Sequence, residues 1–150
     1  MDTQIIPIDT LAQTEALARR LGAIVQPGDF VALYGGLGAG KTTFARGLIS
    51  AVCGVPSDVP SPTYTLVQTY DGPAFTIFHM DLYRLKRPED VFELGWDETA
   101  EGLTLVEWPE RAGAYLPEWR LDMRFEAVAE TRKVRLEPCG EDWQTRLNEL

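Results

Sequence analysis

The sequence predicts an α/β fold, a mixed β-sheet flanked by helices on both faces, with antiparallel strands toward the C-terminus. Three observations carry this. The run Phe30 to Tyr34 is apolar throughout, as expected of a parallel strand buried on both faces. A glycine-rich turn and a segment of helical apolar spacing follow it directly. Several further short apolar runs are then separated by turn residues and short helical stretches, the pattern of helices layered on a sheet.

The elements follow in order. Thr10-Leu11-Ala12-Gln13 is a capping box, in which the Thr10 hydroxyl and the Gln13 amide each satisfy an unpaired backbone N–H. Leu17, Leu21 and Ile24 or Val25 then recur at helical spacing. Pro27-Gly28-Asp29 is a turn into the strand at Phe30. Gly35 to Gly40 is a loop, and Thr42 to Val52 a helix stopped by Gly54. A proline-rich connection covers 55–62. Thr63–Tyr70 and Ala74–Met80 read as strands paired around Asp71-Gly72-Pro73. Pro88, with Glu89 and Asp90 beside it, suits a helix start, and Gly95 a helix end. Leu103–Val106 is another strand. Arg120–Val128 and Thr131–Leu136 alternate as an antiparallel pair at one edge, and Trp143, Leu147 and Leu150 mark a terminal amphipathic helix.

Composition narrows the function. The 150 residues carry 14 basic and 23 acidic side chains, a net charge of −9. Between Arg87 and Arg111 lie Glu89, Asp90, Glu93, Asp97, Glu98, Glu101, Glu107 and Glu110, with no Lys or Arg. Such a surface repels phosphate backbones, which disfavours autonomous nucleic-acid binding. No apolar run approaches the roughly 18 residues of a membrane span. The start Met1-Asp2-Thr3-Gln4 lacks the basic opening of a signal peptide. Cys53 and Cys139 make neither a disulfide framework nor a metal cluster, and are expected as small buried hydrophobes. A single domain over residues 1–150 in the cytoplasm is expected.

The segment richest in chemistry is Gly35-Gly36-Leu37-Gly38-Ala39-Gly40-Lys41-Thr42, a full match to G-x-x-x-x-G-K-[ST]. Glycines let the backbone turn its N–H groups inward, and the helix N-terminus adds partial positive charge. Lys41 can bridge the β- and γ-phosphates, and the Thr42 hydroxyl can ligand Mg²⁺. The pattern arises by chance in roughly 0.5% of chains this long. The fold class is therefore P-loop NTPase-like. An Asn-Lys-x-Asp base-reading motif cannot exist here, because the only Asn is Asn148; ATP is favoured by elimination.

Such a site needs an acid at a strand end to hold the metal or orient water. Asp81, after Thr76 to Met80, and Glu107, after Leu103 to Val106, both qualify, and pattern alone does not decide between them. His79, the only histidine, is expected to be a packing hydrogen-bonder. Arg84 reaches either phosphate or the acid-rich segment, and Trp108 either joins the core or caps the site.

Together, Gly35 to Thr43, Ser61-Pro62-Thr63-Tyr64-Thr65-Leu66, His79-Met80-Asp81-Leu82-Tyr83-Arg84, Glu93-Leu94-Gly95 and Glu107-Trp108-Pro109 resemble, in order and spacing, the TsaE (YjeE) family. The likeness covers roughly residues 5 to 117. It implies a Mg-dependent P-loop ATPase of tRNA threonylcarbamoyladenosine biosynthesis, slow alone. Its implied partners are TsaB and TsaD, which modify adenosine 37 of ANN-decoding tRNAs, so that tRNA is met only indirectly and no membrane is involved. It further implies that Gly35, Gly38, Ala39, Gly40, Lys41, Thr42 and Thr43 bind the nucleotide and that Leu11 flanks the adenine. Thr42 and Glu107 would hold Mg²⁺, with Lys41, Asp81 and Glu107 catalytic, Asp81 lying near the attacking water. Ser61 to Thr65 would be a loop sensing nucleotide state. The family usually has Asp where Gly36 stands. Two other readings remain: a small-metabolite kinase, opposed by the absence of basic residues over 88–110, and a non-catalytic ATP sensor, opposed by the presence of Thr42, Asp81 and Glu107.

Overall fold

A computed structural model describes residues 3–36, 38–54 and 66–150. The Ser61 to Thr65 segment, the connection over 55–60 and Leu37 lie outside the described residues. The strands are β1 (Gln4–Pro7), β2 (Phe30–Tyr34), β3 (Val67–Asp71), β4 (Thr76–Asp81), β5 (Leu103–Glu107), β6 (Arg120–Val128) and β7 (Thr131–Cys139). They form one seven-stranded sheet in the order β1-β7-β6-β2-β5-β4-β3. The inner strands β6, β2, β5 and β4 run parallel. Antiparallel pairs finish both edges: β6–β7–β1 on one side and β4–β3 on the other. The expected late antiparallel pair is therefore present, and β1 extends it.

The α-helices are α1 (Leu11–Gly22), α2 (Lys41–Cys53) and α3 (Glu141–Leu147). Helix α1 starts where the Thr10 capping box predicts. Gln13 N–H donates to Thr10 Oγ1 at 3.1 Å, and Thr10 N–H donates to Gln13 Oε1 at 3.0 Å. Helix α2 ends at Gly54, whose left-handed φ of 70° costs a glycine little.

Strand alternation sorts the core into two layers. Val31 and Leu33 of β2, Leu103 and Leu105 of β5 and Ile77 of β4 pack with Leu17, Leu21, Phe44 and Leu48 of α1 and α2 and with Trp143 and Leu147 of α3. On the opposite face Phe30, Ala32, Met80 and Val106 pack with Leu85, Val91 and Ala112. That second face carries 3₁₀ helices, Pro88–Leu94, Trp96–Glu98 and Pro109–Tyr115, rather than α-helices. Seven residues between Pro88 and the left-handed Gly95 allow about two tight turns, a length at which 3₁₀ geometry is common. Cys53 and Cys139 are half-buried and reduced, not fully buried as expected.

Candidate functional site

The site is built at the carboxyl ends of β2, β4 and β5, the usual place for ligands in parallel sheets. Strand β2 ends at Tyr34, and the glycine loop turns the chain into α2. Gly35 has φ +144°, and a Cβ there would stand 2.8 Å from the Phe125 carbonyl oxygen, so the loop leaves the sheet where a side chain cannot. Gly40, immediately before α2, sits at φ 105°. The thirteen-residue α2 thus opens at the cleft with Gly40, Lys41 and Thr42 at its positive end.

Parallel pairing of β4 with β5 sets Asp81 opposite Glu107. By the two-residue period of a strand, His79, Asp81, Leu105 and Glu107 share the face on which α2 lies. Glu107 is 3% exposed. Its Oε1 accepts from Thr42 Oγ1 at 2.9 Å, and its Oε2 meets His79 Nε2 at 2.7 Å. An ionised carboxylate can only accept, so that contact puts a proton on Nε2. Burial alone would raise the Glu107 pKa. The His79 hydrogen bond, the Thr42 hydrogen bond and the Lys41 charge outweigh it and hold the carboxyl below its ordinary range. Asp81 is engaged differently: its Oδ1 accepts from Tyr83 N–H at 3.0 Å, an Asx-type turn that fixes the carboxylate at the strand end.

Lys41 is buried, and its Nζ has no hydrogen-bond partner. It rests 3.8 Å from the centroid of the Trp108 ring, and Trp108 in turn meets the Tyr83 ring at 4.8 Å between centroids, the two planes tilted by 52°. Burial lowers the Lys41 pKa, against the pull of Glu107, Glu110 and Asp81. Trp108 holds a left-handed φ of 58°, an unfavourable conformation for an aromatic residue and one that marks a constrained position.

A cleft of about 450 Å³ is lined by Gly38, Gly40, Lys41, Thr42, Thr43, Asp81, Tyr83, Arg84, Glu107, Trp108 and Arg132. The structure thus gathers Lys41, Thr42, Thr43, Asp81 and Glu107 around one space. Leu11 lines a neighbouring cleft of about 560 Å³ between α1 and α2 that shares Thr43 with the first. Gly35 and Ala39 line neither. Ala39 is buried in the core, and its N–H donates to the Gly36 carbonyl at 3.3 Å. Trp108 does both things the sequence offered: it lines the cleft and packs against the second core layer. Arg132, on β7, is a cleft residue that the sequence did not single out; its backbone is fixed there by Ile8 and Asp9, far away in sequence, with Ile8 N–H donating to its carbonyl at 2.9 Å and its own N–H donating to Asp9 Oδ1 at 2.7 Å.

Chemically, this arrangement can take a polyphosphate. It offers a buried ammonium without a partner, a helix N-terminus, and arginines at Arg84 and Arg132 for negative charge. Among the described residues no three His, Cys, Asp or Glu side chains could enclose a metal by themselves. The Thr42 hydroxyl and Glu107 carboxylate instead suit a hard cation that draws its other oxygens from phosphate and water. No helix among the described residues is long and apolar enough to cross a membrane.

Comparison with known proteins agrees. Residues 8–134 match the family described as "Threonylcarbamoyl adenosine biosynthesis protein TsaE". The chain is 42% identical over 123 residues to a tRNA threonylcarbamoyladenosine biosynthesis protein TsaE of Rickettsia felis, covering 81% of this chain and 72% of that one. It is 33% identical over 141 residues to the protein of that name in Bacillus subtilis, covering 92% and 87%. A crystal structure of YdiB from Bacillus subtilis superposes with a TM-score of 0.78 at 26% identity, over 99% of this chain and 93% of the other. The chain belongs to the TsaE family.

Proposed function

We propose that this chain is a cytoplasmic, single-domain P-loop ATPase over residues 1–150. Its ATP and Mg²⁺ cycle would support TsaB and TsaD in forming threonylcarbamoyladenosine at position 37 of ANN-decoding tRNAs. The observation that carries this reading is the buried, unpartnered Lys41 ammonium at the mouth of α2, beside the Thr42–Glu107 contact. A fold does not retain an unpaired buried cation without cost, so a ligand with compensating negative charge is the natural counterpart.

Each residue then has a defined task. Lys41 leaves the Trp108 face for the β- and γ-phosphates. Gly38 and Gly40 allow close backbone approach, and Thr42 with Glu107 offers oxygen ligands to Mg²⁺. Asp81, held by the Tyr83 amide, accepts a hydrogen bond from the attacking water and orients it. Bound Mg²⁺ would offset the charge that develops on the phosphate oxygens. Thr43 helps cradle the phosphates, and Leu11 flanks the base from the α1–α2 side. With its net charge of −9, the chain reaches tRNA only through its partners.

The test is steady-state ATP hydrolysis with and without the TsaB–TsaD pair. Slow hydrolysis alone that rises on adding the pair and disappears in Lys41→Ala is the expected result. Hydrolysis indifferent to both the pair and Lys41 would overturn the reading.

A further inference from the structure

We propose that His79 is a positioning residue: it holds the Glu107 carboxylate turned so that one oxygen meets the Thr42 hydroxyl, and thereby presets the pair that receives the cation. This rests on the Mg²⁺-binding reading given above and adds a residue to it.

The argument begins with burial. His79 is fully buried, as is most of the Glu107 side chain. Strand register places His79 opposite Leu105 and Asp81 opposite Glu107, so His79 reaches Glu107 on the diagonal across β4 and β5. The 2.7 Å contact occupies Oε2 and leaves Oε1 for Thr42 at 2.9 Å. A free glutamate would lose rotamer freedom on being fixed. Here that freedom is removed by the fold before any ligand arrives.

The other ring nitrogen supplies the discriminating observation. His79 Nδ1 is buried with no hydrogen-bond partner. An apolar side chain would fill the same space without leaving a polar atom unpaired. An imidazole stands here although, among the described residues, its one side-chain hydrogen bond goes to Glu107. Partners of metal ligands orient them in this way, and losing such a partner weakens metal affinity by about 10- to 100-fold.

The test is calorimetric titration of ATP into the full chain, in Mg²⁺ and in EDTA, for wild type, His79→Leu and His79→Gln. The readout is the ratio of the two dissociation constants, the tightening due to metal. In His79→Leu the ratio should fall about 10-fold or more, with EDTA binding nearly unchanged. His79→Gln should keep most of the ratio, because its amide N–H stands where the imidazole Nε2 stood. A packing role would leave the ratio alone. An unchanged ratio in His79→Leu, or an equal fall in both variants, overturns the proposal. Should His79→Leu fail to fold, His79→Asn replaces it: its amide falls short of Glu107, so it should lose the ratio that His79→Gln keeps, and equal ratios would overturn the proposal. A wild-type ratio of one would sink the Mg²⁺ reading itself, and this inference with it.

Discussion

The two ends of β2 each carry a buried charge cluster, and they are built on opposite principles. At the amino end, Asp29 and Arg146 close a bidentate pair at 2.7 and 2.7 Å. Arg146 also donates to the Ile24 carbonyl at 2.9 Å and to Asp142 at 2.6 Å, and its guanidinium lies 4.0 Å from the Trp143 ring. Asp29 Oδ2 further accepts from Gln26 N–H. This cluster fastens α3 to the start of the central strand. At the carboxyl end, Lys41 Nζ and His79 Nδ1 remain unpartnered. One cluster pairs its charges within the fold and leaves only Arg146 Nε without a hydrogen bond; the other leaves the whole Lys41 ammonium without one, at a cleft. A satisfied buried pair serves structure, while an unsatisfied one is where a ligand completes the set.

The largest test of that contrast is Lys41→Met. Losing the charge-assisted hydrogen bonds to phosphate removes about 3 kcal/mol or more, so ATP affinity should fall at least about 100-fold by calorimetry. The same substitution removes a buried, unpaired ammonium, and the melting temperature should rise by about 2–4 °C. Arg146→Ala should do the reverse. Breaking the closed pair strands Asp29 and costs about 3–5 kcal/mol, a loss of roughly 10 °C in Tm, with ATP affinity measured below the transition unchanged within about twofold.

A smaller effect is expected in acid. The folded Glu107 carboxyl titrates below its unfolded value of 4.5. Its contribution to stability is therefore complete above that value and is lost as pH falls through the lower folded pKa. Glu107→Gln should flatten the acid limb of urea midpoints taken below about pH 5. The smallest effect is expected at Gly36. A Cβ there meets nothing within 4 Å, so Gly36→Asp should alter stability by less than about 0.5 kcal/mol by thermal melt.

Much of the phosphate end was legible in the sequence because its signals are local. The glycine loop, the apolar run Phe30 to Tyr34, the Thr10 cap and the Gly54 stop each depend on neighbours a few residues apart, and each stands where expected. Strand β1 was not legible. Gln4-Ile5-Ile6-Pro7 is short, contains a proline tolerated at an edge, and owes its conformation to β7 near the other end of the chain. The same holds for contacts across the sheet. Pattern alone left Asp81 and Glu107 equivalent, and only the family resemblance gave them different roles. Register sets them side by side, and their hydrogen bonds differ: Glu107 meets Thr42 and His79, and Asp81 closes its own turn. Arg146 was invisible as a partner of Asp29 because nothing local to either residue names the other.

The contrast between the two ends of β2 is read most directly by amide hydrogen exchange with and without saturating MgATP. Protection should rise at Gly38 to Phe44 and around Asp81 and Glu107, and stay unchanged at Gln26, Asp29 and Asp142 to Leu147. Protection gained at the Asp29–Arg146 end, or at neither end, would contradict the assignment of the open cluster as the nucleotide site.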